Sequence, residues 1–264
     1  MEPTQQRKAA DFRALHDGEA FIIPNPWDAG SARVFEALGF KALATTSAGF
    51  AFTLGRLDGG ATLDEVTDHT RVLDRATSLP VSVDLENGYG PDPEKAALAI
   101  TRAAEAGAVG GSIEDYDPEG GMYGFDHAVE RMAAACEAAR GLGFPFTLTA
   151  RAENHIRGNP DLDDTIARLQ AYEQAGADVL YAPGLRKGHE IRTVCEATSK
   201  PVSVLALPSL SMSEIADAGA RRVSVGSQLT WVAVAAMAAA AEEMRDSGDF
   251  SSLAAPVQIS EWLG

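Results

Sequence analysis

Four times along the chain a helix-like run ends in a glycine and passes directly into an apolar, strand-like run. The stretches are EALGFKALAT from residue 36, EAGAVGGSIE from 105, QAGADVLYA from 174 and DAGARRVSVG from 217. A glycine there suits the left-handed turn that closes a helix, and the next few residues can start a strand. One such junction is commonplace; four at this spacing make a repeating αβ unit, and repeated units of that kind build a parallel sheet. Strands are expected at about 21–24, 41–46, 80–85, 109–114, 145–151, 178–182, 200–205 and 221–226. Helical patterns lie between them, for example at 62–78, 94–107, 126–141, 163–176 and 229–246. Eight units with no Gly, Pro or Ser-rich linker favour a closed (β/α)8 TIM barrel over an open sheet, in one domain spanning 1–264.

Composition supports that size of core. The 264 residues are 45% hydrophobic and 23% charged. The 38 acids exceed the 22 bases, for a formal net charge of −16, which argues against nucleic acid or an anionic membrane as partner. No window has the ~18 apolar residues of a membrane span, and MEPTQQRKAADF lacks the apolar stretch of a secretory signal. The two cysteines, Cys136 and Cys195, sit in Ala-rich helical stretches and read as small buried hydrophobes. The expectation is a cytoplasmic protein.

In such barrels the active site lies at the C-terminal ends of the strands. Those ends carry Asn25, Trp27 and Asp28 after the first strand, and Thr45, Thr46 and Ser47 after the second, followed by a long loop that reaches Asp58. Asp84 and Glu86 end the third, Glu114 and Asp115 the fourth, and Arg151, Glu153 and Asn154 the fifth. Tyr181, the stretch 207–209, and Ser227 with Gln228 follow the last three. Asp58, Asp84, Glu86 and Glu114 would repel one another in one mouth unless a cation sat among them. An all-oxygen set suits a hard ion such as Mg²⁺, or Mn²⁺ in its place.

These pieces, taken in order, resemble the isocitrate lyase / phosphoenolpyruvate mutase superfamily over nearly the whole chain. The segments that carry the resemblance are WDAGSARVFEALGFKALATTSAGFAFTLGRLD, TLDEVTDHTRVL, LPVSVDLENGYG, GGSIED, LTARAEN and YEQAGADVLYAPG. The resemblance implies a Mg²⁺-dependent barrel enzyme that makes or breaks C–C or P–C bonds in small 2-oxo or carboxylic acids through a metal-stabilised enolate. By position, Asp84 matches the direct metal ligand, and Asp58, Glu86 and Glu114 match acids on the metal's waters. Thr46, Ser47 and Ala48 match the turn that holds the substrate carboxylate, and Arg151 matches the clamp on the substrate's anionic end. Trp27, Asp28 and Glu153 are further candidates for substrate contact.

The chain departs from the family on the loop after the fourth strand. Lyases of the family carry a Lys-Lys/Arg-Cys-Gly-His segment there, and the mutases and hydrolases carry a lysine. Here the loop reads YDPEGGMYGFDHAVERM, with neither Cys nor Lys. Tyr123 and His127, then Glu119, are its candidate acid/base groups, and the pair Gly120–Gly121 would let it close as a lid. His155 follows Arg151 closely, and VGSQLT at 225–230 has the small residues of an anion site at a helix start.

Three activities stay open: C–C cleavage of a small 2-oxo or 2-hydroxy acid, with oxaloacetate decarboxylation the simplest form; P–C chemistry; or binding of a 2-oxo acid without catalysis. The resemblance further implies a homodimer or homotetramer in which the last helix, with the tail at about 229–264, is exchanged between subunits.

Overall fold

The computed structural model describes residues 4–254 and 256–264. Residues 1–3 of the opening segment and residue 255 of the tail, both read above, lie outside the described residues. The chain begins with α1 (Gln5–Leu15), β1 (Phe21–Ile23), α2 (Ala29–Ala37), β2 (Leu43–Ala44), α3 (Ser47–Thr53) and α4 (Leu63–Ala76). Next come β3 (Val81–Asp84), α5 (Pro93–Glu105), β4 (Gly110–Glu114), a small hairpin of β5 (Tyr116–Asp117) and β6 (Gly121–Met122), and α6 (Phe125–Gly141). The second half holds β7 (Thr147–Arg151), α7 (Leu162–Ala175), β8 (Val179–Tyr181), α8 (Gly188–Ala197), β9 (Val202–Leu205) and α9 (Met212–Asp217). It closes with β10 (Arg222–Ser224), α10 (Gln228–Ser247), a 3₁₀ turn (Ser251–Ala254) and α11 (Ile259–Leu263).

The main sheet has eight strands in the order β1-β10-β9-β8-β7-β4-β3-β2, with every laddered pair parallel. Its two end strands meet through the Ala44 N–H, which donates to the Pro24 carbonyl at 3.1 Å. Asn25 fastens the same seam. Its Nδ2 donates to the Thr45 carbonyl at 2.9 Å, and its Oδ1 accepts from the Val225 N–H and Ser224 Oγ at 3.0 Å each. The fold is a (β/α)8 TIM barrel.

The junction glycines behave as their sequence context predicts. Gly39, Gly107, Gly176 and Gly219 have φ between 86° and 111°, where a Cβ would be strained. Strand alternation sorts the side chains. Val83, Ile113, Leu148, Leu180 and Val204 face the helices and join one core with Ile100, Met132, Leu169 and Tyr172. Alternate positions face the barrel axis, where Ser82, Ser112 and Ser224 line the cavity described below. At the N-terminal end α1 lays Ala9 and Phe12, both fully buried, against Ile23, Ala42 and Val109. Gly110 makes room for that plug: a Cβ there would stand 2.8 Å from Phe12 Cε1.

Two expectations are corrected. The strand expected at 41–46 is only Leu43–Ala44. Its last residues are taken by other bonds: Thr45 Oγ1 accepts from the Asp84 N–H at 2.8 Å, and Thr46 caps α3. The stretch expected as a long loop to Asp58 contains that helix. The hairpin at 116–122 was not foreseen, because two-residue strands leave no periodicity to read.

α10 buries only Thr230. Trp231, Val232 and Met237 on it are exposed, as are Phe250, Leu253, Val257, Ile259 and Leu263 beyond it. Among the described residues no helix is long and apolar enough to cross a membrane.

Candidate active site

Strand ends and the turns after them converge on the C-terminal mouth. A cavity of about 310 Å³ there is lined by Thr46, Ser47, Ala48, Asp58, Asp84, Arg151 and Glu153, among others. A second, of about 210 Å³, shares Ser47, Asp58 and Arg151 and adds Glu86, Glu114 and Tyr116. The predicted acids and the predicted arginine therefore do share one site.

Arg151, the last residue of β7, is the hub. Its Nη1 lies 2.9 Å from Asp84 Oδ1, and its Nη2 lies 2.9 Å from Glu114 Oε2 and 2.8 Å from Glu153 Oε1. The guanidinium also lies over the Tyr181 ring, 5.5 Å from its centre. Three carboxylates hold its charge far more firmly than water would. Asp84 is further oriented by the Ser47 N–H at 3.4 Å on Oδ2 and Ser112 Oγ at 3.4 Å on Oδ1. The start of α3 thus turns its free amides toward the same cavity.

Glu86 is presented by a strained turn. Glu86 (φ 49°) and Tyr89 (φ 64°) are the non-glycine residues with positive φ among the described residues, a conformation costly enough to persist only where neighbours enforce it. Here they do. The Asn87 side chain accepts from the Tyr89 N–H at 3.0 Å. Buried Arg131, from α6, donates to the carbonyls of Asn87, Gly90, Pro91 and Asp92. Gly88, at φ 80°, approaches α5 so closely that a Cβ would lie 2.8 Å from the Ala96 Cα. The result is a Glu86 carboxyl whose Oε1 is buried without a hydrogen-bond partner. Burial, with the charges of Asp84 and Asp58 behind it, raises its pKa to about 7. Burial likewise raises Glu114, against the pull of Arg151.

Glu153 is set from behind. Asp115 accepts the Glu153 N–H at 2.8 Å and is itself held by Arg168 Nη1 at 3.0 Å and by the Tyr172 hydroxyl. Arg157 joins the mouth one turn later, its Nε 3.1 Å from Glu153 Oε2 and its guanidinium 3.8 Å from the centre of the Tyr116 ring on the hairpin.

Several predicted residues are placed elsewhere. Tyr123 accepts from Asn87 Nδ2 at 3.0 Å and lies under Arg131, and the His127 Nε2 meets the Pro91 carbonyl at 2.9 Å. Both brace the turn that carries Glu86, and neither lines the mouth. The hairpin bends the chain back onto that turn before either residue is reached. Asp28 is the N-cap of α2, paired with Ser31 in a capping box, and Trp27 packs edge-on against Phe35. An N-cap acid after a strand has the same sequence signature as a ligand. Glu119 and His155 also lie outside both linings, whereas Ser227 and Gln228 belong to the larger one. Asn25, read from the first strand end, does line the larger cavity, whereas Arg157, Tyr116 and Arg222 went unread.

A metal fits this donor set in one respect that the structure itself supplies: an orphaned, buried carboxylate oxygen on Glu86 beside Asp84. Among the described residues, no three His, Cys, Asp or Glu side chains are grouped closely enough to ligate one ion directly. Mg²⁺ keeps several of its waters, so contacts through water would have to supply the rest of its shell.

The family model described as phosphoenolpyruvate phosphomutase matches residues 12–245. The chain belongs to that family, within the isocitrate lyase / phosphoenolpyruvate mutase superfamily, and is an enzyme of that superfamily's type. A crystal structure of a Burkholderia cenocepacia J2315 protein, assigned only provisionally as a lyase or mutase, is 53% identical with a TM-score of 0.94, covering 98% of this chain and 96% of that one. The oxaloacetate decarboxylase of Paraburkholderia xenovorans is 31% identical over 100% of this chain and 89% of its own length. The 2-methylisocitrate lyase of Halalkalibacterium halodurans is 33% identical over 76% of this chain and 68% of its own.

Proposed function

We propose that the protein cleaves a C–C bond in a small 2-oxo or 2-hydroxy carboxylic acid, with decarboxylation of oxaloacetate as the simplest case. The observation that carries this reading is the cluster of Asp84, Glu114 and Glu153 around Arg151, with an unpaired Glu86 oxygen beside it. Asp84 would hold Mg²⁺ directly, and Asp58, Glu86 and Glu114 would hold it through its waters. When bound, the ion supplies a Lewis acid that polarises a 2-oxo group.

The chain's own residues do the rest. Ser47 and Ala48 amides at the start of α3 receive the substrate carboxylate, and Thr46, whose hydroxyl accepts from the Gly49 N–H at 3.3 Å, fixes that helix start. Arg151, held by its acids at the same mouth, would help neutralise the carboxylate that those amides receive. Tyr123 and His127 are turned away from the mouth, so the loop residues first considered as acid/base groups do not reach the substrate. Decarboxylation needs no Cys on the loop, so the reaction is compatible with the hairpin's composition. Similarity to the oxaloacetate decarboxylase over the full chain supports it. The phosphomutase family description favours P–C chemistry as the second reading. The exposed apolar face of α10 supports a homodimer or homotetramer built by exchanging that helix.

The test is Mg²⁺-dependent turnover of oxaloacetate, phosphonopyruvate, 2-methylisocitrate and dimethylmalate, with and without EDTA. Oxaloacetate consumption that EDTA abolishes is the expected result. Activity on phosphonopyruvate alone would select P–C chemistry, and silence across the panel would overturn both readings.

A further inference from the structure

One layer beneath Arg151, the barrel holds a second arginine that the chemistry above does not use. Arg222 opens β10 and is 4% exposed. Its Nε donates to Ser203 Oγ at 3.1 Å and its Nη2 to Thr149 Oγ1 at 3.0 Å, while its Nη1 has no partner. Thr149 precedes Arg151 by two residues on the same strand, so the partner of Arg222 sits about 6–7 Å below the Arg151 backbone at about 3.3 Å per residue.

The contrast between the two arginines is in their partners. Arg151 has three carboxylates, and Arg222 has two neutral hydroxyls and no acid within ion-pair distance among the described residues. Burial lowers the Arg222 pKa to about 10, the Tyr181 phenol beside it acts the other way, and Arg151, a like charge, lowers it further. His16, on the floor side, is held neutral, with its pKa lowered to about 3 by burial and by Arg222. A buried cation without a counter-charge is strongly unfavourable, so a fold that keeps one keeps it for an anion.

Space for that anion is present. Barrel interiors are normally filled by branched apolar side chains; here Ser82, Ser112 and Ser224 occupy inward positions. The 310 Å³ cavity therefore runs from Asp84 and Arg151 down to Arg222, which lines it.

We propose that Arg222, braced by Ser203 and Thr149, is a deep anion subsite that receives the distal carboxylate of a short dicarboxylate whose reacting end lies at the mouth. This rests on the functional reading above and deepens it: Arg222 is the residue that selects a dicarboxylate over a monocarboxylate of similar length.

Calorimetric titration with succinate, and with propionate as the one-carboxylate control, tests this on wild type, Arg222→Gln and Arg222→Lys. Charge-assisted hydrogen bonds to one carboxylate correspond to an affinity change of roughly 10–100-fold. Succinate should therefore bind Arg222→Gln about that much more weakly than wild type and recover in part in Arg222→Lys, while propionate is unaffected. Circular dichroism identifies a variant that fails to fold, and the Lys variant then carries the comparison by its altered succinate-to-propionate ratio. Equal succinate binding in wild type and variants, including no binding by any of them, overturns the subsite. Arg222-dependent succinate binding without turnover of any 2-oxo acid would overturn the reaction and leave the subsite standing. Turnover with Arg222-independent binding would do the reverse.

Discussion

At the C-terminal end of the barrel, Arg151 is ringed by Asp84, Glu114 and Glu153, and a buried Glu86 oxygen stands unpartnered beside them. At the N-terminal end, α1 seals the barrel with Phe12 and Ala9, and His16 there is held uncharged. The mouth also carries both strained non-glycine residues, Glu86 and Tyr89. The floor gains chiefly from apolar burial, so it specifies the fold. The mouth keeps repelling acids and strained backbone that burial alone would not favour, which is consistent with the cation and anionic substrate proposed for it.

The largest expected effect at the mouth comes from Asp84→Ala. If Asp84 carries the metal, several kcal/mol of transition-state stabilisation disappear, and turnover should fall about 10³-fold or more. Unchanged turnover would put the chemistry elsewhere. The corresponding floor variant, Phe12→Ala, should cost about 3–5 kcal/mol of stability through the cavity it leaves. Its kcat per folded molecule should be retained, with urea unfolding and turnover measured on the same sample.

The two ends should also respond oppositely to pH. His16 at the floor is buried neutral, as is His69 where α4 stacks on Phe50 of α3, their pKa values lowered to about 3 and about 4, chiefly by burial. The unfolded chain takes up protons near pH 6.5 and the folded chain does not, so stability falls as pH drops from about 6.5 toward 4, by a few kcal/mol at most. Glu86 is raised to about 7, so without metal the folded chain holds a proton that the unfolded chain has lost. Its contribution declines as pH rises from about 4.5 to 7. Urea titrations across pH should show His16→Gln flattening the acid limb and Glu86→Gln the neutral one. Exchange of those two effects between the variants would refute the assignment. A smaller effect is expected from Gly88→Ala, about 1–3 kcal/mol, because a Cβ would meet the Ala96 backbone in a left-handed turn. A thermal melt unchanged from wild type would show that the turn relaxes freely.

Much of this was legible in the chain. The four helix-end glycines gave the repeating unit, and reading strand ends as a shared mouth brought together Asp58, Asp84, Glu86, Glu114 and Arg151. Arg157 was missed although it lies four residues after Glu153, one helical-type turn away, which its backbone N–H bond to the Glu153 carbonyl at 3.0 Å makes real. Arg222 was missed because a basic residue opening a strand reads as solvent-facing. The alternation Arg222-Val223-Ser224, with valine toward the helices, was the signal. Tyr123, His127, Asp28 and Trp27 were misplaced for one reason: proximity in sequence to a strand end does not say which way the next turn runs. That direction is set by long-range bonds such as those of Arg131 to the carbonyls of the Glu86 turn.

The most direct test of the central claim, that the acids around Arg151 form a cation site at the mouth, is calorimetric binding of Mg²⁺ in the presence of oxalate. Wild type and Phe12→Ala should each bind one ion per chain, and Asp84→Ala should bind none. Equal Mg²⁺ binding by Asp84→Ala and wild type would contradict the account.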